Sequence, residues 1–346
     1  MYSDEMYSDD ILILKGNEVV ELLTGRERDV IEVVRVAYMA HAAGKSSLPH
    51  STFLRFLDSE KNRIIALPAY LGDGFGVAGI KWVSSFPDNL SKGLDRASAV
   101  LILNSTVTGR PEAIIEGSII SARRTAASAA LAAQTLLGER EVNSVGMIGC
   151  GLINFETARF LLAVRPEIKR LTVFDLDRAR AEQFKRLCGA MFDEIVVAED
   201  MRALWRDNAL VSFATTAVRP HVFDLSDCAP GSVILHTSLR DLAPEVILGC
   251  DNVVDDVDHV SRAQTSIHLA EQLGGDRAFV RCTLGDILLG HAPARRDRDS
   301  LTVFSPFGLG ILDLAVGKFV RDLGVKESFG SAISSFLPSP WVAGRA

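Results

Sequence analysis

Two rhythms of apolar and polar positions divide this chain. From Ile11 to about Gly117 the pattern is that of short strands, at 52–57, 63–70, 77–84 and 99–105. The turn Thr108-Gly109-Arg110-Pro111 and the segment 112–116 after it read as a hairpin. One early helix interrupts this region. Thr24 and Glu27 form a capping-box pair, apolar residues recur at Val30, Val33, Val34 and Ala37, and Gly44 follows the end. From Asn143 onward strands alternate with helices, the signature of a parallel sheet. Strands are expected at 144–148, 171–175, 194–197, 210–214, 232–236 and 252–255, with helices at 152–164, 178–190 and 258–273. The tail from Thr302 adds one more strand–helix unit, apolar at Leu309, Leu312, Val316, Phe319 and Val320.

The first strand of the second region, Val145-Gly146-Met147-Ile148, runs into Gly149-Cys150-Gly151-Leu152-Ile153-Asn154 and then a helix. Glycines at the first two positions permit a tight turn and close approach to a pyrophosphate, which the free N–H groups of the helix start then bind. The third glycine position holds Asn154, so looser helix–strand packing is expected there. Asp175 ends the next strand, 24 residues after Gly151, where a carboxylate binds the ribose 2′-hydroxyl and favours NAD over NADP.

Composition narrows the picture. The chain has 346 residues, 48% of them hydrophobic and 23% charged, which suits a two-domain globular protein. A net charge of −7 argues against nucleic acid or an anionic membrane surface as partner. No apolar run reaches membrane-spanning length and the N-terminus has no signal-peptide pattern, so a cytoplasmic protein is expected. Met-Tyr-Ser-Asp occurs at 1–4 and again at 6–9, and little order is expected over the first ten residues. Five scattered cysteines (150, 188, 228, 250, 282) without a Cys-x-x-Cys pair favour neither disulfides nor a metal site.

Three further places carry candidate chemistry. Arg123-Arg124-Thr125-Ala126-Ala127 reads as the start of an Ala-rich helix, where cations oppose the helix dipole unless an anion binds beside them. Lys81 interrupts an apolar strand, so its ammonium either snorkels to an edge or points into a cleft. His236-Thr237-Ser238-Leu239-Arg240-Asp241 follows a strand at the carboxyl edge of the sheet. There Asp241 acts as acid/base or orients an amine, or merely caps a turn, and Arg240 is placed to hold a carboxylate.

These residues, with Ala66-Leu67-Pro68-Ala69-Tyr70, Phe86-Pro87-Asp88-Asn89, Thr108-Gly109-Arg110-Pro111 and Val303-Phe304-Ser305-Pro306-Phe307-Gly308, resemble the ornithine cyclodeaminase/mu-crystallin family along nearly the whole chain. The loops at 149–156 and 236–242 are similar to its 2,3-diaminopropionate-forming branch. The resemblance implies an α/β architecture: a Rossmann doubly wound parallel sheet (126–304) inserted into an α+β substrate-binding and dimerisation domain (11–125 plus 305–340). It implies NAD as cofactor, no metal, a homodimer, and Asp241 and Lys81 as catalytic residues. Arg124 is implied to bind a substrate carboxylate. Gly149, Gly151, Leu152, Ile153, Asn154, Asp175, Thr215, Thr216, Ser305 and Gly308 are implied to line the cofactor. A family arginine near position 50 is replaced by His50, with Arg55 nearest, so His50, Arg55 and Arg240 become candidate substrate ligands. The reaction implied is oxidative hydrolysis of N-(2-amino-2-carboxyethyl)-L-glutamate, supplied by an upstream pyridoxal-phosphate-dependent synthase for siderophore or peptide-antibiotic assembly. A cyclodeaminase or simple amino-acid dehydrogenase is the alternative, and a non-catalytic binding protein a remoter one.

Overall fold

The chain folds around two sheets, which a computed structural model describes over residues 10–338. The duplicated start lies outside the described residues. Contacts group the described residues into two units, one formed by 10–26, Gly44–Ser121 and 310–338, the other by Glu27–Ala43 and Ala122–Leu309.

The first unit is a mostly antiparallel sheet. Its order is Ser331–Ile333, Ile11–Leu14, Pro111–Glu116, Ala97–Ser105, Val77–Ser85, Ser59–Leu71 and Ser46–Ser47, with Thr52–Phe56 also pairing onto Ser59–Leu71. The helix Gly310–Glu327 lies against one face. Glycines seven residues apart let it sit close: a Cβ at Gly310 would stand 3.2 Å from the Leu67 carbonyl, one at Gly317 3.1 Å from Leu101, and one at Gly324 3.2 Å from Leu14. That approach sets Asp313, one turn into the helix and fully buried, onto the sheet.

The second unit is an all-parallel eight-stranded sheet, in the order Glu194–Val197, Arg170–Phe174, Ser144–Ile148, Leu210–Phe213, Val233–His236, Thr302–Ser305, Asp251–Val254 and Val280–Thr283. The order reverses on either side of Ser144–Ile148, which makes the carboxyl end of that strand the switch point where ligands bind in open α/β sheets. Parallel strands buried on both faces explain the continuous apolar runs that marked this region.

Several expectations are corrected. Thr24 does not cap the early helix: it ends a preceding one, Gly16–Leu23, and its Oγ1 donates to the Val20 carbonyl at 2.7 Å. Buried Val19, Leu22 and Leu23 give that short helix its own apolar face. The helix Glu27–Ala42 groups with the second unit rather than with the sheet of the first. Glu27 pairs with Arg159 at 2.5 Å, Arg28 donates to the Ala163 carbonyl, and Gly285 leaves room for Tyr38 and Ala42. The expected helix 258–273 is two helices, Val257–Val260 and Ser266–Gly274, parted by Ala263 and Gln264 in left-handed conformation; Thr265 caps the second. The Ala-rich helix begins at Ser118, not at Arg123, with the Glu116 carboxylate accepting from Ser118 and Ile119 N–H. Arg123 and Arg124 therefore sit in its second turn, and the argument from an unfavourable dipole end does not apply to them.

Candidate active site

The phosphate loop is built by hydrogen bonds that the glycine pattern alone did not reveal. Gly149 adopts φ +89°, and a Cβ there would lie 2.4 Å from the Ala214 carbonyl oxygen, so no other residue fits. Gly151 precedes the helix Leu152–Val164, and a Cβ on it would meet nothing closer than an Arg180 nitrogen at 4.0 Å. That space at a helix N-terminus suits a pyrophosphate. Asn154, expected to loosen the packing, is fully buried and tightens it. Its Nδ2 donates to the Ile148 and Gly149 carbonyls at 3.0 and 2.8 Å, and its Oδ1 accepts from Ser212 Oγ at 2.7 Å.

Asp175 braces the same loop, accepting from Cys150 N–H at 2.8 Å and from Asp177 N–H at 3.0 Å, with Arg180 Nε 3.9 Å away. An open cavity of about 290 Å³ beside it is lined by Phe174, Leu176, Arg178, Val197 and Ala198. Leu176 is almost wholly exposed there, an apolar side chain suited to a flat ring. The residues present fit a dinucleotide.

At the carboxyl ends of Leu210–Phe213 and Val233–His236 stands Asp241, with no exposed surface. Thr215 Oγ1 and Ser238 Oγ donate to its two oxygens, and His221 Nε2 lies 3.1 Å from Oδ1. His236 Nε2 stands 3.3 Å from Oδ2, while His236 Nδ1 meets the buried Ser305 Oγ at 3.2 Å. Burial alone would raise the Asp241 pKa, but hydrogen bonds from His221, His236 and Ser238 outweigh it and hold the carboxyl well below the usual range. His221 is also zipped to this strand end, since its N–H and that of Val222 both donate to the Asp241 carbonyl at 2.9 Å. Unlike Asp241, the His221 ring is 38% exposed. Neither His221 nor the Ser238 contact was legible from the sequence, because no fixed spacing links them to Asp241.

Arg124 is buried in the second unit. Its Nη1 lies 2.9 Å from where a Cβ on Gly308 would stand, and Gly308 has φ +90°. Asp255, buried, fixes that turn by accepting from the Phe307 and Gly308 N–H groups at 2.8 and 2.7 Å. Lys81 belongs to the first unit, where it is 3% exposed. Its Nζ donates to Asp313 Oδ2 at 2.7 Å and to Ser121 Oγ at 3.2 Å. Asp313 had a visible sign, an acid between Leu312 and Leu314 on an apolar helix, which periodicity alone passed over. Of the remaining candidates, Thr216 is exposed, Arg240 donates to the Ala263 carbonyl at 2.7 Å, and His50 and Arg55 are exposed in the first unit. Among the described residues no cluster of His, Cys, Asp or Glu could hold a metal, the five cysteines are free, and no helix is long and apolar enough to cross a membrane.

Sheet order, switch point and loop define a dinucleotide-binding α/β protein. The chain belongs to the ornithine cyclodeaminase/mu-crystallin family, whose model matches residues 12–328. N-((2S)-2-amino-2-carboxyethyl)-L-glutamate dehydrogenase of Staphylococcus aureus is 27% identical over 343 residues, covering 94% of this chain and 99% of that protein. The structure of Thermococcus litoralis Delta(1)-pyrroline-2-carboxylate reductase with NADH and L-proline superposes with a TM-score of 0.85 at 26% identity, covering 93% and 99% of the two chains. An archaeal alanine dehydrogenase dimer with bound NAD gives 0.82 at 27% identity, covering 94% and 99%.

Proposed function

We propose that the protein oxidises and hydrolyses N-(2-amino-2-carboxyethyl)-L-glutamate to L-2,3-diaminopropionate and 2-oxoglutarate. It is an NAD-dependent oxidoreductase acting on an amino-acid CH–NH bond. When bound, NAD accepts the hydride that leaves the substrate α-carbon. Gly149, Gly151 and the first turn Leu152-Ile153-Asn154 hold its phosphates, Asp175 its ribose, and Thr215, Thr216, Ser305 and Gly308 line the rest of its path. Lys81 and Arg124 bind substrate carboxylates, and Arg240 and His50 are further candidates for that role.

The observation that carries the hydrolytic reading is the pair formed by a wholly buried Asp241 and a part-exposed His221. Hydrolysis needs a group that takes a proton from water as it adds to the imine carbon. With Nε2 turned to Asp241, the His221 ring has Nδ1 left for that proton, and Nδ1 makes no hydrogen bond to any described residue. A ring-closing cyclodeaminase, in which an internal amine attacks, needs no such acceptor for water. Supply of the conjugate by a pyridoxal-phosphate-dependent synthase, and use of the product in siderophores or peptide antibiotics, complete the proposal. Incubating enzyme and NAD with the conjugate should produce NADH with equimolar 2-oxoglutarate. No NADH from the conjugate, with ammonia from ornithine or NADH from alanine, overturns the reading in favour of a cyclodeaminase or a simple dehydrogenase.

The first unit's sheet also supports assembly as a homodimer. On the face opposite Lys81, Ile80, Trp82, Val100 and Ile102 form an apolar field, with Trp82 40% exposed and Tyr70 42%. Light scattering should report a dimer for the wild type and a monomer for Trp82→Asp; a Trp82→Asp dimer removes this face from the interface.

A further inference from the structure

At one end of the first unit's sheet, three guanidinium groups gather. Arg55 lies opposite Arg63 on the neighbouring strand, and Arg63 lies opposite Ser85 on the next. Ser85 in turn lies opposite Ala97, the neighbour of Arg96. Directly opposed residues of an antiparallel pair share a face, with Cβ atoms about 4.5–5.5 Å apart. Burial, and after it the charge of Arg55, lowers the Arg63 pKa; burial and the charge of Arg63 do the same to Arg96. The cations therefore feel one another at partial depth, where like charges are costly.

Among the described residues Arg55, Arg63 and Arg96 make no ion pair; Arg55 only stacks over Phe53, 5.7 Å from its ring centre. Two polar atoms in the same row are orphaned as well. Arg63 Nε and Ser85 Oγ are shielded from solvent and have no hydrogen-bond partner, and Ser85 is only 8% exposed. A solvated surface cluster would leave these atoms wet. Buried donors without acceptors, beside uncompensated cations, describe a seat for an anion.

Lys81 lies four positions before Ser85 on the same strand and so faces the same side of the sheet. The separation is about 13 Å at roughly 3.3 Å per residue, a gap that long cationic side chains narrow from both ends. Two cationic stations on one face suit a substrate carrying carboxylates several bonds apart. We propose that Arg63, supported by Arg55, Arg96 and Ser85, binds the γ-carboxylate of the substrate's glutamate half, three bonds from the oxidised carbon. The inference rests on the tricarboxylate substrate proposed above.

The test pairs a residue change with a substrate change. NADH formation is followed with the conjugate and with an analogue whose γ-carboxylate is a carboxamide, for wild type, Arg63→Gln and Arg63→Lys. Arg63→Gln should raise KM for the conjugate about ten- to hundredfold, the range of a charge-assisted hydrogen bond, with kcat within about threefold. KM for the carboxamide, already high with wild type, should not change, and Arg63→Lys should recover part of the loss. Equal penalties on both substrates overturn the assignment, as does dissociation of the native oligomer in Arg63→Gln, which would make the cluster a subunit contact. If wild type does not oxidise the conjugate, the substrate reading has failed, and calorimetric titration with glutarate still decides the anion seat. Arg63→Gln should then weaken glutarate binding at least tenfold; unchanged binding removes the seat.

Discussion

Asp241→Asn should lower kcat about 100- to 10,000-fold while leaving NAD affinity within about twofold, and His221→Gln should do the same. An amide at 241 presents an NH₂ where the carboxylate accepts from hydroxyls and imidazole, so the His221 ring loses its anchor. Gln at 221 keeps a donor for Asp241 but no group able to take a proton. Because the Asp241 pKa is held down in the folded protein, its carboxylate contributes stability above the unfolded carboxyl pKa of about 3.9. That contribution is lost only as pH falls through the lower folded value. Asp241 thus stays ionised at working pH and produces no limb in the activity profile. The part-exposed His221 is left as the proton acceptor. Single-turnover measurements sharpen this, since hydride loss precedes water addition: the first NADH equivalent should survive in His221→Gln while steady turnover does not. More than a tenth of wild-type kcat in either variant would sink the pairing, and lost NAD binding would place both residues in the cofactor cradle instead.

The second large effect is on stability. Lys81 and Asp313 form an ion pair that is 3% and 0% exposed. Removing one partner strands the other charge in a dry environment, so Lys81→Met or Asp313→Leu alone should cost about 3–5 kcal/mol. The double substitution, apolar on both sides, should regain most of that loss yet remain inactive, because the substrate's carboxylate loses its ammonium. Thermal unfolding and NADH formation on the three variants check both statements. A double variant no more stable than the worse single one would show that packing, rather than the charge pair, sets the cost. An active double variant would remove Lys81 from substrate binding.

Much of the second unit was legible because its chemistry is local in sequence. The strand, Gly149, Gly151 and the helix start fall within a few residues, and parallel strands buried on both faces announce themselves as apolar runs. What escaped was long-range or negative. Lys81 looked ambiguous until Asp313, 232 residues later, supplied its counter-ion. Asn154 looked like a defect because the glycine pattern says nothing of a side chain that turns back to bond the loop and Ser212. Arg124 was singled out by an argument about a helix start that Ser118 in fact occupies. Thr24 was misplaced because one hydroxyl serves equally to begin a helix or to finish one.

The backbone passes between the two units four times, at 26/27, 43/44, 121/122 and 309/310. Neither unit is a contiguous stretch of gene, so recombination cannot exchange one for another in a single event. Relatives named for different substrates are nonetheless matched over 99% of their length. Ribosomal synthesis meets the same interleaving: the strand Ile11–Leu14 leaves the ribosome long before its neighbour Ser331–Ile333 and the helix that covers its sheet. The first unit is thus completed only after the second has been made in full, which leaves its open sheet waiting longest for cover.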